Sequence, residues 1–144
     1  MRPLDLVQSV YGEEDEPIEL ASFLAERGFA RFEAVTAPEA AVEFPAPDGG
    51  LVGEMGGPFQ GVDGLRAGWE EWLKIWESFE LRGIEWIEAG DERVLLLADS
   101  TGRMANGVAI ETPVAAVFDV EADRIVRIRH YLDQAQARRD AGVA

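Results

Sequence analysis

The sequence predicts an α+β fold, a bent antiparallel sheet with helices packed on one face. Three observations lead there. Apolar residues recur at helical spacing through the first half of the chain and alternate in strand fashion from Leu81 onward, and helices followed by strands make an α+β pattern. The 144 residues are 47% hydrophobic. A chain near that length buries roughly 70% of the surface its unfolded form exposes, enough for one core without staples.

The elements follow in order. Residues 1–16 read as an N-terminal extension ahead of a single domain over 17–144. Glu13, Glu14, Asp15 and Glu16 precede Pro17, after which Ile18, Leu20, Ala21, Phe23 and Leu24 hold helical spacing. Acidic groups favour a helix N-terminus, proline suits the first turn, and Gly28 is placed to end the helix. A second short helix is expected over Phe29 to Val35, stopped by Pro38, with Ala41 to Phe44 extended. Pro45 to Gly61 is rich in glycine and proline and reads as a loop with room for a loose hairpin. No Gly-Lys-Ser/Thr follows it, so it is not a phosphate cradle.

Asp63 is placed to cap the most regular helix, on which Leu65, Trp69, Trp72, Trp76 and Phe79 are spaced 4, 3, 4 and 3. Glu70 and Lys74, four apart, mark its wet face. Such an aromatic stripe needs a large apolar partner, and a curved sheet supplies one. Four strands are expected next: Leu81 to Glu88, Arg93 to Thr101, Val108 to Val120 and Arg124 to Tyr131. Their turns fall at Ala89-Gly90-Asp91, near Gly102 and at Glu121-Ala122-Asp123, an antiparallel meander. Asp133 then caps a short terminal helix through Arg139, with Gly142 beyond it.

Composition removes whole classes of function. There is no cysteine, hence no disulfide, thiolate nucleophile or iron–sulfur cluster, and the one histidine, His130, excludes metal sites needing two imidazoles from one chain. No cofactor is expected. With 28 acidic against 13 basic side chains the net charge is −15, which repels nucleic-acid phosphates and anionic membranes. The N-terminus has no apolar core of a leader peptide and no long apolar run follows, so a cytoplasmic protein that does not span a membrane is expected.

GPFQGVDGLRAGWEEWLKIWESF, RVLLLADSTGR and PVAAVFDVEADRIVRIRHYLDQAQA, in that order and spacing, resemble the SnoaL-like branch of the NTF2-like superfamily. The resemblance covers residues from Pro17 to the C-terminus. It implies a cone in which the curved sheet wraps around the long helix, with two further N-terminal helices and a short C-terminal one, a pocket at the open end, and commonly a homodimer. The superfamily holds ketosteroid isomerases, polyketide cyclases, epoxide hydrolases, dehydratases and non-catalytic binders, so membership does not fix function. The isomerase's catalytic carboxylate position falls on Phe44, its phenol position on Leu20 and its protonated acid on Ala116. These supply neither the base nor the oxyanion donors of enolisation.

Period two on the last strand puts Val126, Ile128, His130 and Leu132 on one face and Arg127, Arg129 and Tyr131 on the other. The apolar set should face inward. His130 also stands where the resemblance places a functional aspartate in epoxide-hydrolase-like members, although the companion Arg–x–Asp has no match between Arg93 and Thr101. A neutral imidazole there is a competent general base for a cyclisation, dehydration or isomerisation. The competing reading is a histidine that merely satisfies a neighbouring polar group. Candidate partners are Thr112 on the next strand and Asp99 if a bulge turns it inward.

Leu20, Phe44, Trp69, Trp72, Trp76, Thr112, Ala116, Phe118 and Ile128 are the candidate pocket residues, and the expected ligand is a small hydrophobic, polycyclic or carbonyl-bearing molecule. The alternative is a non-catalytic carrier or sensor, or a dimeric accessory domain. Arg124, Arg127, Arg129, Arg138 and Arg139 are expected to pair with carboxylates. The outer sheet face carrying Ala109, Ala115 and Val117 is compatible with a dimer contact.

Overall fold

The computed structural model describes residues 2–11, 18–23, 25, 29–45, 51–52, 59–74 and 76–143. It begins with a helix that the apolar spacing reading did not assign. α1 (Pro3–Tyr11) has proline in its first turn and Asp5 near its N-terminus, and it buries Leu6, Val7 and Val10 in the main core. The expected helix from Pro17 starts later. Ile18–Glu19 (β1) first pairs with Leu81 and Glu80, then α2 covers Leu20–Phe23, its start fixed by the Glu19 carboxylate accepting the Ser22 N–H at 2.7 Å. Pro17, Leu24 and Gly28, and the acidic run before Pro17, lie outside the described residues.

α3 spans Phe29–Val35 as expected, but the strand after it is longer than foreseen. β2 runs Thr36–Pro45 and takes in Pro38, which a ladder position would not tolerate. The β2–β8 register shifts between Thr36 and Ala41, so Pro38 sits where regular pairing is already interrupted. Within the glycine-rich loop, β3 (Leu51–Val52) and β4 (Phe59–Gln60) each pair antiparallel with β2; residues 46–50 and 53–58 lie outside the described residues.

α4 spans Gly61–Leu73 and is shorter than the aromatic spacing predicts. Gln60 is its N-cap and makes no side-chain cap bond, so Asp63 is not the cap; it sits in the first turn, 3.6 Å from Arg66. Lys74 pairs with Glu71 at 2.9 Å rather than with Glu70. Trp76 and Phe79 continue the aromatic row beyond the helix, because the Glu77 N–H already donates to Arg103 O and the chain has joined the sheet. Gly64 and Gly68 let α4 approach that sheet closely: a Cβ on Gly68 would overlap the Phe44 ring.

The meander is β5 (Ser78–Glu88), β6 (Arg93–Arg103), β7 (Ala109–Glu121) and β8 (Arg124–Tyr131), antiparallel throughout, with β2 added parallel to β8. The second turn lies at residues 104–108 rather than at Gly102, which stays within β6 beneath the Trp76 ring. At the third, Ala122 and Asp123 both take positive φ, 51° and 62°, the conformation of a tight two-residue hairpin.

Both sheet faces are covered. Val94, Leu96, Ala98, Ala116, Phe118 and Ile128 meet the helices inside the cone; Leu95, Leu97, Ala115, Val117 and Tyr131 lie under α5 (Gln134–Ala141). That explains the unbroken Leu95-Leu96-Leu97-Ala98 run, which a one-sided sheet would not permit. It also corrects the outer-face expectation, since Ala115 and Val117 are occupied by the chain's own α5. A register shift between Asp119 and Val120 resets parity at the start of β8, so Ile125 and not Val126 enters the core. Asp133 caps α5 by accepting from the Ala135 and Gln136 N–H groups, and Gly142 ends it at φ 83°. Of the arginines expected to pair with carboxylates, Arg127 grips Glu43 at 3.0 and 3.2 Å and Arg129 lies 3.8 Å from Asp119, which Arg93 also meets at 2.6 Å.

No helix among the described residues is long and apolar enough to cross a membrane.

Candidate functional site

His130 is held from three sides. On β8 it faces Ala116 of β7, and the parallel partner β2 brings the Glu43 carbonyl to 3.0 Å from Nδ1. Phe44, the next residue of β2, stacks on the imidazole at 4.4 Å and 9°, while Trp69 of α4 meets it edge-on at 5.1 Å and 87°. Phe44 is itself fixed by Phe59 at 5.4 Å and by its fit against Gly68. The histidine is 7% exposed.

This arrangement decides the protonation state. A carbonyl oxygen only accepts, so Nδ1 carries the hydrogen it donates to Glu43, and a neutral ring then leaves Nε2 with a bare lone pair. Desolvation among the aromatic rings lowers the His130 pKa from 6.5 to about 4, against a smaller upward pull from the Glu43 bond. The ring is therefore neutral at pH 7. Nε2 is buried and has no hydrogen-bond partner among the described residues. A buried polar atom without a partner is costly, which singles this nitrogen out.

His130 lines a cavity of about 50 Å³. One water needs roughly 10–15 Å³ by the same measure, so the space holds about three to five waters or the end of a small ligand. Of the residues expected to form the pocket, Phe44, Trp69, Trp72 and Ala116 line it with His130. Leu20, Phe118 and Ile128 are packed in the core behind it. Trp76 lies over Gly102, and Thr112 borders a different surface depression, facing Ser100. Neither Thr112 nor Asp99 partners His130; Asp99 is exposed on the outer face.

Tyr11, Phe79, Leu81, Leu96, Val114, Ala115 and Tyr131 also line the cavity and were not among the candidate pocket residues, and Leu132, expected on the inward face, lines it as well. Tyr11 had a legible signal, because Leu6, Val7, Val10 and Tyr11 follow helical spacing after Pro3. Its ring touches Phe23, Phe32, Trp86 and Phe118, and burial pushes its phenol pKa up, so it is a neutral hydroxyl. Among the described residues, no group of three or more His, Asp or Glu side chains could hold a metal ion.

A family model described as the SnoaL-like domain matches residues 19–128. Among solved structures, an NTF2-like protein of unknown function from Burkholderia pseudomallei is 22% identical, with 95% of each chain covered and a TM-score of 0.67. A candidate polyketide cyclase from Pseudomonas putida is 18% identical, with 94% of each chain covered and a TM-score of 0.60. TerC, co-crystallised with polyporic acid, is 14% identical, covering 97% of this chain and 98% of its own, with a TM-score of 0.67. Among curated proteins none matches the sequence. At these identities the structural likenesses speak to the cystatin-like, NTF2-like fold.

Proposed function

This chain belongs to the SnoaL-like domain family, and from that premise we propose that it binds a small hydrophobic metabolite in the cone, with His130 holding the ligand's polar atom. One observation carries the reading: a buried, unpartnered Nε2 on the wall of an otherwise aromatic and aliphatic cavity. The candidate polyketide cyclase and the co-crystallised TerC among the structural neighbours support a ring-bearing ligand.

In the catalytic version of this proposal, Nε2 takes a proton from the ligand in a cyclisation, dehydration or isomerisation. A conjugate acid with a pKa near 4 makes a weak base at pH 7. Catalysis therefore requires the anion left on the ligand to stay beside the new imidazolium and stabilise it. Where it does not, the site acts as a carrier. The proposal includes a homodimer in the cytoplasm, formed through a surface other than Ala115 and Val117.

The test incubates the protein with a panel of small hydroxylated and carbonyl-bearing aromatics, following tryptophan fluorescence for binding and chromatography for conversion. Quenching with the ligand recovered unchanged identifies a carrier. A product formed by the wild type and lost in His130→Gln identifies an enzyme. No binding by any member overturns the proposal. Light scattering on the same sample reads the oligomeric state.

A further inference from the structure

The chemistry of the ligand's polar end follows from the orientation of one ring. On the reading that the cone is a ligand pocket, we propose that it selects molecules presenting an O–H or N–H hydrogen to His130 Nε2, an alcohol, phenol or enol end group, and discriminates against carbonyl and carboxylate ends at the same place.

The hydrogen of the neutral imidazole is already committed. Nδ1–H donates to Glu43 O at 3.0 Å, and turning the ring over in its own plane would take that donor away from the β2 carbonyl. Nε2 thus offers only a lone pair. A ketone oxygen placed there would meet lone pair with lone pair; a hydroxyl would satisfy the buried Nε2, which has no partner among the described residues.

An anionic end is disfavoured independently. Among the described residues no charged side chain lines the cavity. The nearest arginines on β8, Arg127 and Arg129, project from the opposite face toward Glu43 and Asp119. A carboxylate would enter this apolar space uncompensated. The cavity's 50 Å³ admits the polar end and a few neighbouring atoms, and the remainder of a larger ligand would pass Leu132, an exposed apolar residue that also lines the cavity.

The experiment measures equilibrium binding to the whole chain of two shape-matched pairs, phenol with toluene and cyclohexanol with cyclohexanone, and of benzoate. Phenol and cyclohexanol should bind roughly tenfold tighter than their partners, one buried hydrogen bond's worth, with benzoate weakest. His130→Phe, which keeps a stacking ring and deletes both nitrogens, should bring each pair within about twofold. As a measurement that needs no variant, the single histidine makes its ¹⁵N resonances unambiguous: phenol should move Nε2, which carries no hydrogen, and leave the protonated Nδ1 in place. Toluene and cyclohexanone binding as tightly as their partners would overturn the donor requirement while the pocket reading stands. Binding by none of the five would overturn the pocket reading and this inference together.

Discussion

The depressed basicity of His130 can be measured as a pH dependence of stability. Above about pH 6.5 the ring is neutral in both folded and unfolded chains, so it adds nothing to the pH slope. Between 6.5 and about 4 the unfolded chain takes up a proton that the buried ring refuses, so the unfolded state binds more protons and stability falls as the pH falls. One site moving from 6.5 to about 4 corresponds to about 2 kcal/mol at pH 5 and about 3 kcal/mol below pH 4. His130→Phe removes the titration and retains a ring against Phe44. Urea unfolding, followed by tryptophan fluorescence at pH 7 and pH 5, gives the double difference directly. What the 28 carboxyl side chains contribute is common to both proteins and cancels. Wild type should lose about 2 kcal/mol more than the variant over this interval, whatever the difference between the two at pH 7. Parallel losses in the two proteins, or a His130 Cε1–H resonance that titrates near 6.5, would refute the reasoning.

Two further substitutions test the supports of the site. Gly68→Ala would push its methyl into the Phe44 ring; the overpacking, about 1–3 kcal/mol, outweighs a helix-propensity gain of at most about 1 kcal/mol. Urea unfolding should show net destabilisation and the His130 resonances should shift, whereas an unchanged or raised midpoint would show that Phe44 has room to yield. Asp133→Ala removes the acceptor for the Ala135 and Gln136 N–H groups and should cost about 1 kcal/mol, largely recovered by Asp133→Asn, and a loss below the error of the unfolding measurement would show that α5 needs no cap.

Much of the meander was legible because its signals are local. The strand starting at Arg93, the strand Arg124–Tyr131, the hairpin at Ala122-Asp123 and the Asp133 cap all follow from apolar patterning and turn chemistry within a few residues. The long helix misled for the same reason. Trp76 and Phe79 continue a 3–4 spacing that no local feature interrupts, and only the bond from Glu77 to Arg103, far along the chain, ends the helix at Leu73. Val126 was misplaced by a bulge, which shifts parity without changing a single residue type. Thr112 shares His130's sheet face but sits at the Ser100 end of β7, and face alone does not measure distance along a strand.

By itself the sequence determined that this chain carries one imidazole, no thiol and no two-histidine metal site, and that this imidazole faces inward. Those facts depend on composition and on period two. The tertiary structure alone decided which nitrogen is free. A parallel strand from residues more than eighty positions away sets its carbonyl against Nδ1, and the surrounding rings desolvate the imidazole. Protonation and hydrogen-bond direction depend on which groups from distant parts of the chain meet at the ring, and no local pattern encodes that meeting.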